Sequence, residues 1–293
     1  MKTIFDGHIH IAEPMQIETA KKSQNKLLDE MDKAGISGGI VLSPNPNIYG
    51  NNFSPKNIID QAKALCAGQD HLYPFYWIDP VSEYAAEHVE LAVDANIAGF
   101  KVICSNFYPG DERAMKTYNL ISEHKKPILF HSGILWDGKP SSQYNRPGEF
   151  ECLLEIPGLK FTLAHISWPW CDECIAVFGK FMNAYSHKPG LSTEMFIDIT
   201  PGTPRLWRRE VFGKLFLGDY DVTHNVIFGT DCNISGYNSK WAVEWIERDM
   251  QFFEECGLAV KEGFLDHIYH DNMLRLLGIK NEDFDRTIPE IAL

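Results

Sequence analysis

Two histidines stand one residue apart near the start of the chain, in the run TIFDGHIHI from Thr3. The run reads as a strand, and strand residues two apart share a face, so His8 and His10 form a pair. Imidazole is a good ligand for zinc and its neighbours, and two on one face can chelate a single ion. Alone, such a pair also arises from two unrelated polar strand residues. The other chemistry-bearing residues recur at equivalent places. His131 lies near the end of PILFHSG, His165 near the end of KFTLAHIS, and Asp231 ends NVIFGTD. If the fold gathers these ends, four imidazoles and a carboxylate form a set able to hold a cation and move protons.

The elements that must gather them are legible as eight short apolar runs. Besides TIFDGHIHI they are GGIVLSP from Gly38, LYPFYWI from Leu72, AGFKVIC from Ala98, PILFHSG from Pro127, KFTLAHIS from Lys160, MFIDIT from Met195 and NVIFGTD from Asn225. Their richness in Ile, Val, Phe and Leu suits parallel strands buried on both faces. Between them lie segments of helical period. PKNIIDQAKAL follows Ser54, a residue suited to the N-cap, with Pro55 at the first helical position. LLDEMDKAG stops at Gly35, and the stretch from Lys240 to Cys256 carries the apolar stripe of an outer helix. Eight βα units imply a single-domain (β/α)8 barrel over residues 1–293, in which strand C-terminal ends converge on one mouth. The longest irregular segment, 132–147, follows the fifth strand and is expected to cover that mouth.

Composition narrows the partners. The chain has 293 residues, 27 basic against 40 acidic side chains and a formal net charge of −13. That balance argues against a nucleic-acid or anionic-membrane surface, so a small-molecule substrate is expected. Seven cysteines at irregular spacings are no disulfide framework, and no apolar stretch is long enough to span a bilayer. The N-terminus enters a strand at once and leaves no room for a secretory signal, which makes the cytoplasm the default reading. Cys171 and Cys174 form a lone CDEC without a second pair, so they are read as packing or surface residues at the start of a helix. GxGxxG and Walker motifs are absent, and no Gly-x-Ser-x-Gly follows an apolar run and opens a helical segment as a nucleophile elbow would. A homodimer is the common outcome for soluble enzymes.

Taken together, HIH on the first strand, FHSG on the fifth, LAHISWPW on the sixth and FGTD on the eighth resemble the amidohydrolase superfamily, and its amidohydrolase-related branch most. MDKAGISGGIVLSP is similar to that branch's second-strand region, and YHDNMLRLLGI to its closing helix, so the resemblance runs nearly end to end. The resemblance implies that His8, His10, His131 and Asp231 bind one divalent ion, zinc by ligand preference, beside which a water loses its proton near neutral pH. It implies that Asp231 accepts that proton and that His165 polarises the substrate or handles protons. Asp6, two residues before His8, is read either as orienting a ligand from behind or as bonding deeper in the barrel.

Lys101 in GFKV has three readings: a carboxylated bridge between two ions, an ammonium facing the substrate, or a buried ammonium paired with a carboxylate. Arg146 and Arg205, in the loops after the fifth and seventh runs, are candidate carboxylate clamps. Trp168, with Trp136, Trp170 and Tyr144, is a candidate apolar wall. The function expected is hydrolysis of an amide or lactone carbonyl. The alternatives are a decarboxylase acting on an unsaturated or aromatic carboxylic acid, and a barrel that binds without catalysis; intact groups at all the strand ends weigh against the last.

Overall fold

The computed structural model describes residues 3–187 and 192–279. Each of the eight apolar runs overlaps a strand: β1 (Ile4–His10), β2 (Ile36–Leu42), β3 (Leu72–Trp77), β4 (Gly99–Val102), β5 (Ile128–Phe130), β6 (Lys160–Leu163), β7 (Glu194–Asp198) and β8 (Val226–Ile227). A ninth short strand, β9 (Cys232–Asn233), follows β8 within a few residues. All pair in parallel in the order β8-β7-β6-β5-β4-β3-β2-β1-β9. The eighth run is therefore one segment in two pieces. Its first piece pairs with β7 and its second with β1. Between them, Gly7 N donates to Phe228 O at 2.8 Å and Asp231 N donates to His8 O at 3.0 Å, which closes the barrel. The split arises because Asp231 has φ 59°, a left-handed conformation that breaks a regular ladder.

Helices alternate with the strands: α1 (Ala20–Lys33), α2 (Pro55–Cys66), α3 (Ala85–Asp94), α4 (Glu112–Glu123), α5 (Cys171–His187), α6 (Arg205–Phe216) and α7 (Ser239–Glu255). Local chemistry sets their ends. The Ser54 hydroxyl accepts from Asn57 N at 3.3 Å with Pro55 in the first turn of α2. Gly35, at φ 70°, ends α1 in the left-handed conformation that glycine adopts at no steric cost. Cys171 and Cys174 are free and buried at the start of α5.

The interior divides by face. Phe5, Ile40, Leu42, Phe75, Leu129, Phe196 and Ile227 form one cluster with Met273, Leu274 and Leu276 of the closing helical segment, while Ile4, Ile9 and Ile11 join the core between strands and helices. Ile4 and Ile9 differ in parity yet face the same layer. A register irregularity between Asp6 and Ile9 is the cause, since an extra residue reverses the alternation. Asp6 accordingly bonds away from the His8 and His10 imidazoles. It accepts from His8 N (3.0 Å), Thr230 N (2.9 Å), Thr230 Oγ1 (2.6 Å) and Tyr237 Oη (2.7 Å), and so ties β1 to the eighth segment. Of the two readings of Asp6, hydrogen bonding within the scaffold is the one observed.

One buried ion pair fastens two outer helices to the β7 end. Arg208 of α6 donates Nε and Nη2 to the two oxygens of Asp249 in α7 at 2.7 and 2.6 Å, and Nη2 also to Ile199 O at 2.9 Å. Removing one partner strands the other charge out of water. Arg208→Ala is expected to lower the unfolding free energy by about 3–5 kcal/mol, measured by denaturant titration. An Arg208→Met/Asp249→Leu double variant is expected to recover most of it, and a double variant as unstable as the single one would show that the loss is packing rather than a stranded charge.

Candidate metal centre and active-site cleft

A cleft of about 500 Å³ opens at the C-terminal ends of the strands. His8, His10, Lys101, His131, His165, Trp168 and Asp231 all line it. The groups that lie far apart in sequence are thus brought to one mouth, as the barrel geometry requires. The segment after β5 contributes Ser132, Ile134, Leu135, Trp136 and Asp137 to the wall. It is fastened by Gly133 N and Ser132 Oγ to Asn145 O, and by Ile134 N to Trp168 O.

Among the described residues, His8, His10 and Asp231 present ligand atoms within 4.8 Å of one another. His8 Nε2 lies 3.0 Å from His10 Nε2 and 3.5 Å from Asp231 Oδ1, which is itself 3.1 Å from His10 Nε2. These separations match the edge of a coordination shell, since ligand atoms about 2.0–2.2 Å from an ion in tetrahedral array stand about 3.4 Å apart. Hydrogen-bond chemistry supports the fit independently. His8 Nδ1 is 2.6 Å from the Asp198 carboxylate, where it must donate, so the Nε2 of a neutral His8 presents a lone pair. Asp231 Oδ1 presents another. Lone pairs converging on one point are what a cation satisfies.

The protonation states agree. Burial lowers the basicity of His8, His131 and His165, and neutral imidazole is the ligating form. Burial alone would raise Asp231, but the hydrogen bond from His10 and the surrounding imidazoles hold its carboxyl well below the usual range. Asp198, which burial would also raise, is held low chiefly by His8. His131 lies in the cleft but outside the close triad. Its Nε2 meets Ile134 O at 3.2 Å, leaving Nδ1 as its other ring nitrogen.

His165 is presented differently. Thr200 Oγ1 meets its Nδ1 at 2.8 Å, and its ring centre lies 5.4 Å from that of His8 and 5.3 Å from that of His131. The backbone there is unusual: His165, Ile166 and Ser167 have φ 62°, 48° and 55°. Three successive non-glycine residues in the left-handed region are strained, most of all a β-branched one. The strain is held by neighbours. Ser132 Oγ donates to Ser167 Oγ at 2.8 Å, and Gly202 approaches so closely that a Cβ there would meet the His165 Cβ at 2.5 Å.

Lys101 is 1% exposed and faces the cleft. Burial pushes its ammonium down to about 8 against the pull of Asp231 and Asp198. The two arginines are not at the mouth. Arg146 is paired with Glu173 at 2.6 Å and lies over Trp170, and Arg205 is paired with Glu244 at 2.7 Å beside Trp241. Neither lines the cleft, because acidic residues on the following helices draw both guanidinium groups outward. Trp168 and Trp136 line it, whereas Trp170 and Tyr144 do not; Trp77 and Asn45, not singled out from the sequence, do. Asp198 and Thr200 were also missed. A lone carboxylate in the apolar run MFIDIT was the available signal for the first.

Comparison with known proteins agrees with this fold. The family model for amidohydrolases matches residues 53–279, which leaves the HIH pair outside the matched range. No curated protein sequence matches. An amidohydrolase from Burkholderia multivorans with bound zinc superposes with TM-score 0.64 at 9% identity, covering 94% of this chain and 99% of that one. A 2,6-dihydroxybenzoate decarboxylase from Rhizobium gives 0.63 at 16%, covering 95% and 99%. Dihydroorotase from Campylobacter jejuni gives 0.59 at 14%, covering 96% and 84%. At such identities these similarities establish the barrel fold.

Two substitutions separate the supports of the site. Asp198→Asn replaces the charged acceptor that orients His8 by a neutral amide with a single acceptor oxygen, and is expected to weaken metal affinity about 10- to 100-fold, read by competition with a chelating dye. Gly202→Ala is expected to leave metal content unchanged while lowering turnover, because it displaces the His165 ring alone. Loss of metal in Gly202→Ala would show that His165 and the triad are not independently held.

Proposed function

Because the chain belongs to the amidohydrolase family, we propose that it is a metal-dependent hydrolase acting on an amide or lactone carbonyl of a small molecule. The observation that carries this reading is the convergence of three lone-pair ligands and a separately anchored histidine on one cleft. His8, His10 and Asp231 would hold the ion, with Nδ1 of His131 as a fourth donor. A divalent ion in that position supplies Lewis acidity and lowers the pKa of water towards neutrality. Zinc suits the imidazole-and-carboxylate set.

The rest is done by the chain. Asp231 turns Oδ1 towards the two imidazoles, and its second oxygen is the acceptor for a proton from the attacking water. His165 has Nδ1 engaged by Thr200, so Nε2 is the atom that meets the substrate oxygen or returns the proton to the leaving group. Trp168, Ile134 and Leu135 provide an apolar wall that keeps bulk water from the reacting carbonyl.

Elemental analysis of the purified protein is expected to find about one divalent ion per chain, lost in His8→Ala and Asp231→Ala. Replacing His165 by Asn is expected to cut turnover by roughly 10²–10⁴ with metal retained. A panel of lactones and N-acyl compounds turned over in ¹⁸O-labelled water is expected to place one labelled oxygen in the product. Carbon dioxide released from an unsaturated or aromatic acid, without label, would assign the chain to the decarboxylases instead.

A further inference from the structure

The charges of the cleft do not balance around Lys101. Among the described residues it is the one lysine or arginine in the lining, and its side chain is buried. Its nearest carboxylates are already engaged: Asp231 with His10 and His8, and Asp198 with His8 Nδ1 and Thr200 N. Among the described residues the ammonium has no hydrogen bond and no ion pair within 4.0 Å. Of its three readings, pairing with a carboxylate is therefore not what the structure contains. An ammonium that finds no acceptor in the chain and lines an open cleft is left to pair with whatever anion enters that cleft. The opposite occurs at Arg208, equally buried, which has a bidentate carboxylate and a carbonyl.

The surroundings of Lys101 narrow what would complete it. Trp77 is its register partner on the neighbouring strand, and both side chains line the cleft. Ile103 follows two residues on, and Trp168 lies in the same lining. A flat apolar body lying along Trp77 would thus carry any adjoining anionic group to the ammonium. A single ammonium compensates one negative charge. A phosphate dianion would leave one uncompensated, and no arginine in the lining is placed to take it.

We propose that Lys101 is the anchor for a carboxylate on a planar, apolar substrate body, which makes the substrate class of this cleft a cyclic or unsaturated carboxylic acid or its derivative. The proposal rests on the cleft being the active site, but not on whether hydrolysis or decarboxylation occurs there. The substrate carboxylate would accept from the Lys101 ammonium while the body lies against Trp77, leaving the reacting bond towards His165 and Asp231. In a chain of net charge −13, a buried cation of this kind also supplies the local attraction that an anionic ligand needs.

Calorimetry of the metal-loaded protein with benzoate and its neutral isostere benzamide tests this without depending on turnover. Benzoate is expected to bind at least tenfold more tightly than benzamide. In Lys101→Met, benzoate should weaken by about tenfold to a hundredfold, the range for a lost bond between charged partners, with benzamide binding and metal content unchanged. Lys101→Arg should keep the preference for benzoate. Unchanged benzamide binding in Lys101→Met also reports an intact cleft, so a folding defect is distinguishable. A benzoate preference that survives in Lys101→Met would place the anion on the metal centre and overturn the proposal. Equal binding of the two probes by the parent, or no benzoate binding at about 10 mM, would overturn it too. Normal metal content and turnover alongside any of these would leave the hydrolase reading standing.

Discussion

The backbone bond from Asp231 N to the His8 carbonyl, 3.0 Å long, unites fold closure and site assembly. A closed barrel needs its last strand to pair with its first, and here that pairing passes through two of the proposed ligands. The left-handed conformation of Asp231 lets the chain leave β7 and join β1 within a few residues. The same turn sets its carboxylate against both imidazoles. Such a conformation costs on the order of 1–2 kcal/mol for a residue with a side chain. The four bonds that Asp6 accepts from His8, Thr230 and Tyr237 hold that crossing in place, and so offset the strain where it arises.

Much of this was legible in the sequence, for physical reasons that also set the boundary. Strands buried on both faces must be nearly continuous apolar runs, so polar residues near their ends stand out, and His8, His10, His131, His165 and Asp231 were found that way. Asp198 bears the same mark in MFIDIT, yet it acts through His8, and that partnership exists only once β7 and β1 face each other across the barrel. The position of Asp6 was obscured by the bulge. A parity argument assumes unbroken alternation, and an extra residue is decided by pairing rather than by local sequence.

Other features were unreadable for a different cause. The left-handed stretch from His165 to Ser167 carries no glycine or asparagine to announce it, because contacts from other strand-end loops impose it. Arg146 does lie in a loop after β5, whereas Arg205, expected in the loop after β7, opens helix α6. Their direction is set by Glu173 and Glu244, each on another element, and an exposed guanidinium turns to whichever carboxylate is nearer. Position after a strand thus did not bring the arginines into the cleft, whereas strand-end placement brought the histidines and Asp231 there, since a strand end has only one direction to point.

The two halves of the site differ in how far they are organised by the protein alone. His165 is locked from three sides: by Thr200 at Nδ1, by Gly202 against its Cβ, and by the Ser132–Ser167 contact below it. Its orientation therefore does not need an ion. The triad is otherwise. His8 Nε2 and His10 Nε2 face each other at 3.0 Å, and with His8 donating through Nδ1 to Asp198, only a proton on His10 can relieve the crowding of lone pairs. One proton serves Asp231 Oδ1 or His8 Nε2, but not both well, whereas a cation at the centre satisfies all three atoms together. Binding energy for an ion placed there would come from relief of this unmet acceptor cluster. His165, by contrast, keeps its alignment at the expense of backbone strain already built into the fold.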